Sequence, residues 1–495
     1  MTSTRSTSGR MVLLAAALAA VTMALPAASQ AAQPGVTQVS ADPYTAADAP
    51  SGEHATEVEP DTFATGSTVV TAFQVGRVYN GGATDIGWAT SRNGGVSWQH
   101  GFLPQTSIEA MSTGEYFSVS DPSVAYDARD HVWLISWLGA HFSGGGIVDV
   151  LVSRSTDGGL TWGAPVVVAA TGAFYDKNWT TCDDSPTSPF YGNCYTEFDN
   201  ASLGDRELMS TSTDGGASWG PPIQPADGVR GLGGQPVVQP DGRVIVPFES
   251  FAFIPGEGFR LEIRAFSSDD GGASWNASVL VSEISSHNVP GVRTSPLPSA
   301  EINRDGVVYV AWQDNRFEPG GSANDIVLSS SADGDTWSNP VRIPAGPADG
   351  SIDRFVPGLA VNSGTAGDHT QLALTYYFDR DPGCSGPACE IQVGFVSSLD
   401  DGRTWSDPQV LSDPMRLDWL APTTQGVMVG DYISTSFLAG AQRVVSAFPI
   451  GSAPTSGAYV EPMFAALEKA RGGTNAAGHG QAQAHGTVSV VPLPF

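Results

Sequence analysis

Residues 212–219 read "STDGGASW", and nearly the same letters keep returning along the chain. "SRNGGVSW" ends at Trp98, "STDGGLTW" at Trp162 and "SDDGGASW" at Trp275. A shortened "SADGDTW" ends at Trp337 and "SLDDGRTW" at Trp405. Six copies spread over most of the chain mean one structural unit repeated. The letters suit a tight turn. The Ser/Thr hydroxyl and the Asp carboxylate hold nearby backbone N–H groups. Glycine takes the positive φ that other residues resist, and Trp folds back onto the neighbouring strands. The box is therefore structural, and its aspartates are not candidates for catalysis.

The sequence around each box supplies strands. A short apolar run comes first, as in "DPSVAYD", "QPVVQPDG" or "VPGLAVN". A second run follows, as in "HVWLISW" or "VVYVAWQD", then a third, as in "DVLVSRS" or "DIVLSSS". The box comes next, and a fourth run such as "APVVVAA" or "SVLVSE" closes the unit. These runs have strand length and are rich in Val, Ile and aromatics. Four antiparallel strands per unit, repeated in sequence, predict an all-β propeller with the boxes in the turns between strands three and four. After the sixth box come three more strands and no box. The count expected is thus seven blades, with six as the alternative. The segment "GVTQVS", residues 35–40, would supply the missing fourth strand, and "GTVSVVPLPF", residues 486–495, is the rival. "EPMFAALEKA" has room for a turn or two of helix.

Composition narrows the setting. The 495 residues carry 51 acidic and 23 basic side chains, a net charge of −28. That excludes nucleic acid and anionic membrane as partners. Residues 1–31 read as a signal peptide: Arg5 and Arg10, an apolar core, then small residues at a cleavage site. Residues 32–56 read as an extended N-terminal segment, 57–466 as the propeller and 467–495 as a low-complexity tail. No later run is apolar enough to span a bilayer, so a secreted monomer is expected. The four cysteines suit an oxidising compartment. Local pairs Cys182–Cys194 and Cys384–Cys389 are the preferred pairing of three. Neither pair has metal-site spacing, so no metal and no cofactor are expected.

The repeated S-x-D-x-G-x-x-W resembles the Asp box of the sialidase (neuraminidase) superfamily, and the resemblance covers roughly residues 57 to 466. It is similar to the secreted bacterial propellers of the exo-alpha-sialidase kind. The resemblance implies a glycoside hydrolase acting on terminal, acidic sugars. A non-catalytic binding propeller for glycan or protein and a propeller polysaccharide lyase are the alternatives, because the box marks a fold. The family's catalytic set comprises an arginine triad, a tyrosine nucleophile with a glutamate, and an aspartate acid/base. Its first arginine stands in an Arg-Ile-Pro stretch before the first box. Residues 57–77 contain no such stretch, and Arg77 falls after the second-strand position.

Ligands usually meet a propeller where its innermost strands begin. The polar residues at that phase are Glu59, Asp61, Asp121, Asp176, Lys177, Gln235, Glu301, Arg354, Asp431 and Tyr432. Arg230, Arg293 and Arg354 precede inner strands of successive units, so the expectation is a three-guanidinium clamp for an anionic sugar. Asp431 joins them as a substrate-binding candidate. Tyr432 is the candidate nucleophile, Glu301 its base and Asp121 the acid/base.

Overall fold

The structure, a computed structural model, describes residues 1–2 and 35–478 apart from 110–112, 143–145 and 255–257. The segment read as a signal peptide and the rival closing strand at 486–495 lie outside the described residues, Met1 and Thr2 excepted. Among the described residues the main strands fall into seven successive antiparallel groups, numbered here as blades 1 to 7, beside three two-stranded pairings. Their innermost strands are Gly52–Thr65, Ser118–Asp127, Tyr175–Cys182, the split pair Gly231–Leu232 and Val237–Val238, Ser299–Ile302, Asp353–Val361 and Ser434–Phe437. Blades 1 and 2 are joined by a single pairing of Ala83 with Val119. In blade 3 the fourth place is an isolated pairing of Ile223 with Met209. Blade 7 contains Arg443–Pro449 and Met463–Lys469, and its outer strand is Val36–Gln38, with Val36 opposite Ala466. The stretch at 461–470 thus runs as strand where the sequence leaves room for helix. Each innermost strand touches the next, and the seventh touches the first.

This inner ring is held by side chains at one repeated position. Asp61 Oδ2 accepts from Val124 N at 2.7 Å, and Ser123 Oγ accepts from Thr180 N at 2.9 Å. Gln235 Oε1 accepts from Ala300 N at 2.8 Å, Ser299 Oγ from Leu359 N at 3.0 Å and Ser434 Oγ from Thr62 N at 3.0 Å. Each bond satisfies a buried N–H that no sheet partner reaches. The ring has two exceptions, and both have a cause. In blade 4 the residue after Gln235 is Pro236, which has no N–H to satisfy. Gly358 lies where a Cβ would stand 2.8 Å from the Ile433 carbonyl oxygen, so the backbones themselves meet there.

The boxes form the turn that their letters predict. Ser212 Oγ accepts from Gly216 N at 2.9 Å, and Asp214 Oδ1 accepts from Ser218 N at 2.9 Å. Gly215 and Gly216 take φ of 66° and 75°. The second glycine has a further job that the letters do not show. A Cβ on Gly216 would stand 2.8 Å from Leu134 of the preceding blade, and one on Gly159 would stand 2.6 Å from Val70. Each box therefore seats its blade on the one before. Cys182–Cys194 and Cys384–Cys389 are both bonded, the first across two strands of blade 3 and the second within a hairpin of blade 6. Part of the segment read as a free tail is bound. Asn475–Ala476 pairs with Thr404–Trp405, and Gly478 pairs with Arg342.

Candidate functional site

Third strands run parallel to first strands, so the boxes lie at the opposite end from the starts of the inner strands. At that starting end four inner strands slip register at the same place. The slips fall between Val58 and Asp61, Ser120 and Ser123, Asp176 and Trp179, and Phe355 and Gly358. Inside each slip one residue is left-handed: Glu59 (φ 54°), Asp121 (49°), Lys177 (45°) and Val356 (50°). A non-glycine residue in this region carries roughly 1–2 kcal/mol of strain. In blades 1 to 3 the strained residue is charged, and the three meet. Lys177 Nζ lies 3.6 Å from Glu59 Oε1, 3.5 Å from Asp121 Oδ1 and 2.6 Å from Asp431 Oδ2 of blade 7. The Arg293 guanidinium also bonds Asp431, and Gln74 bonds Glu59.

The charges shift one another. Burial acts to raise Asp431, but Arg293 and Lys177 overrule it and hold the carboxyl down to about 2. Burial and the neighbouring Asp121 push Asp176 up to about 7, with Lys177 opposing. Burial raises Glu59 well above the carboxylate range against the pull of Lys177. Burial alone would lower Lys177, yet Asp121, Asp431 and Glu59 raise it well above an ordinary lysine. A pocket opens beside this cluster. Its walls include Lys177, Asn178, Trp179, Gln235, Leu297, Pro298, Asp431 and Tyr432.

Among the sequence candidates, Asp121, Arg293, Asp431 and Tyr432 come together here. The expected arginine clamp does not form. Arg354 has no exposed surface and is fixed between blades 5 and 6. It donates to Asp325 Oδ1 at 2.9 Å and to the carbonyls of Ala345 and Pro347, and it lies 3.5 Å from Glu318. Arg230 lies exposed beside Gly204 and Asp205 of blade 3. Only Arg293 reaches the carboxylates around Lys177. The Tyr432 hydroxyl donates to the Pro122 carbonyl at 3.0 Å, while its ring carries Lys177 at 5.5 Å and meets Trp179 edge-on at 5.1 Å. Burial and the carboxylates around it raise that hydroxyl well above the ordinary tyrosine value. A nucleophilic phenol needs the opposite shift. Glu301 stands apart from Lys177 and close to Asp61. Burial, with Asp61 adding, lifts Glu301 to about 8, and burial lifts Asp61 to about 7.

Sequence reading gave no role to Lys177, although the cluster is built around it. It also passed over a row of acids in blade 3. Asp199 pairs with Asp176 on one side and Glu207 on the other, and Glu197 is two residues along the same strand face. Glu197, Asp199 and Glu207 have no exposed surface. Glu197 and Glu207 lie within hydrogen-bonding reach of each other, and among the described residues no basic side chain pairs with the three. Burial raises all three, Glu207 to about 7. The signal was present in "YTEFDN", where acids recur at the strand period of two.

Residues 133–353 match the BNR repeat-like domain family. No curated protein matches the chain. Among solved structures, the chain is similar to an ulvan lyase described as a new family of polysaccharide lyase. The TM-score is 0.50 at 10% identity, covering 86% of this chain and 96% of the lyase. It is also similar to a Hadza microbial sialidase, with a TM-score of 0.43 and 14% identity over 84% of this chain and 68% of that one. An alpha-L-arabinanase of Penicillium chrysogenum gives 0.43 at 13% identity over 69% and 93%. At such identities a likeness speaks for the fold alone.

Proposed function

For this chain, whose residues 133–353 match the BNR repeat-like domain family, we propose a glycoside hydrolase whose site is the mouth around Lys177. The observation that carries this reading is a pair of carboxyls at one mouth held in opposite protonation states. Asp176 sits near 7 and Asp431 near 2. Glycoside hydrolysis needs one carboxyl to give a proton to the leaving oxygen and one to face the developing positive charge as carboxylate. Asp176 is the acid, half-buried and kept protonated by its burial and by Asp121 beside it. Asp431 is the ionised partner, oriented by Arg293 and Lys177. Trp179 and Tyr432 offer ring surface to a sugar face. Two disulfides suit work outside the cell. Among the described residues no helix is long and apolar enough to cross a membrane.

The test is a panel of aryl glycosides and oligosaccharides incubated with the full chain, with products resolved by mass. Hydrolysis adds one water per bond cut. A product with a new double bond and no added water would replace this reading with elimination. If no glycan is cut, the hydrolase reading is overturned.

A further inference from the structure

We propose that the sugar met at this mouth is uncharged, and that the site turns acidic sugars away. This deepens the hydrolase reading and rests on it. Recognition of an acidic sugar needs a guanidinium or ammonium free to face its carboxylate. The two cations that reach this mouth, Lys177 and Arg293, already have acidic partners, and the basic side chains beyond it are held elsewhere. Arg293 is bound to Asp431. Lys177 is shared among Asp431, Asp121 and Glu59. Arg354 is sealed between blades with Asp325, and Arg77 is buried against Glu461 with Nη2 2.7 Å from Oε2. His54, His141 and His287 face Asp42, Asp149 and Asp353 at 3.2, 2.8 and 2.6 Å.

Carboxyls outnumber cations around Lys177, so neither cation is left unshared. Two cations, Lys177 and Arg293, meet four carboxyls, Glu59, Asp121, Asp176 and Asp431. Behind them the face of blade 3 adds Glu197, Asp199 and Glu207. A second carboxylate entering this pocket would lose its water and gain no unshared cation, which is the costly case for a buried charge. The remaining wall is neutral. Trp179, Tyr432, Leu297 and Pro298 present apolar surface, and the Asn178 and Gln235 amides beside them already bond Ser136 and Ala300. Asn178 Oδ1 is buried with no partner among the described residues.

Calorimetric titration of the full chain at neutral pH decides the matter. The probes are arabino-, xylo- and cello-oligosaccharides against sialyllactose and an oligogalacturonate. At least one neutral probe is expected to bind about tenfold or more tightly than either acidic one. Asp431→Asn leaves Lys177 and Arg293 short of a partner, so it is expected to gain about tenfold in affinity for the acidic probes. Asp121→Asn, which removes the acid 3.5 Å from Lys177 Nζ, is expected to move the same way and covers the case of an Asp431→Asn chain that does not fold. An acidic probe bound as tightly as the best neutral one, or no neutral probe bound, overturns the proposal. Neutral sugars bound but never cut would overturn the hydrolase reading and leave this one standing. Cleavage of a sialoside would do the reverse.

Discussion

At the scale of single residues, the mouth is governed by Lys177 and the acids it touches. Asp176 must be protonated to act as the acid, and it sits near 7. The rate is therefore expected to fall as pH rises through about 7, and Asp176→Asn is expected to lower kcat about a hundredfold or more. A pH–rate profile checks both, and a profile flat across neutrality would remove Asp176 from the role. Lys177→Met tests the hub itself. It leaves Glu59, Asp121 and Asp431 buried beside Arg293 alone, so a loss of about 3–5 kcal/mol in unfolding free energy is expected by denaturant titration. Asp121, Asp431 and Tyr432 were legible because inner-strand starts can be read from the repeat. Their roles were not. The order of residues in the chain does not show that Tyr432 is capped by the Pro122 carbonyl, or that Arg354 turns into the seam toward Asp325 and away from the mouth.

At the scale of the element, the Asp box was the most legible feature, since its chemistry is local. Serine, aspartate and the positive-φ glycines all act within eight letters. The contact of the second glycine with the preceding blade is not local, and it sets up a paired test. Gly158 and Gly159 have φ of 86° and 78°. An added Cβ on Gly158 meets nothing within 4 Å, whereas on Gly159 it would stand 2.6 Å from Val70. Alanine at either position carries the left-handed penalty, roughly 1–2 kcal/mol. Gly159→Ala is expected to cost about 1–3 kcal/mol more, through overpacking against blade 1. Equal losses in denaturant melts would show that the glycine serves the turn only. The bulges at Glu59, Asp121 and Lys177 had no such signature. A register slip is set by the neighbouring strand, and no glycine marks it in blades 1 to 3.

At the scale of the whole molecule, the ring encloses more acid than base, and burial decides how that acid titrates. Burial raises Glu57 and Glu301 to about 8, and Asp61, Glu249 and Glu461 to about 7. A carboxyl raised on folding binds its proton more tightly in the folded chain. Its contribution to stability is complete below the unfolded value near 4 and is lost as pH rises through 7 to 8. The box aspartates Asp157, Asp214, Asp270, Asp333 and Asp400 have the reverse sign, since hydrogen bonds hold them low against their desolvation. Asp431 joins them near 2, held by Arg293 and Lys177 against its burial. Their contribution is present above the unfolded value and is lost as pH falls through the folded one. The two sets leave the greatest stability on the acid side of neutrality, near about pH 4 to 5. The net charge of −28 adds self-repulsion above it. Scanning calorimetry at constant ionic strength is expected to show Tm falling by several degrees from about pH 5.5 to about pH 9. A Tm that holds level or climbs over that range would mean that the buried acids are ionised in the folded chain, and the protonated state assigned to Asp176 would fall with them.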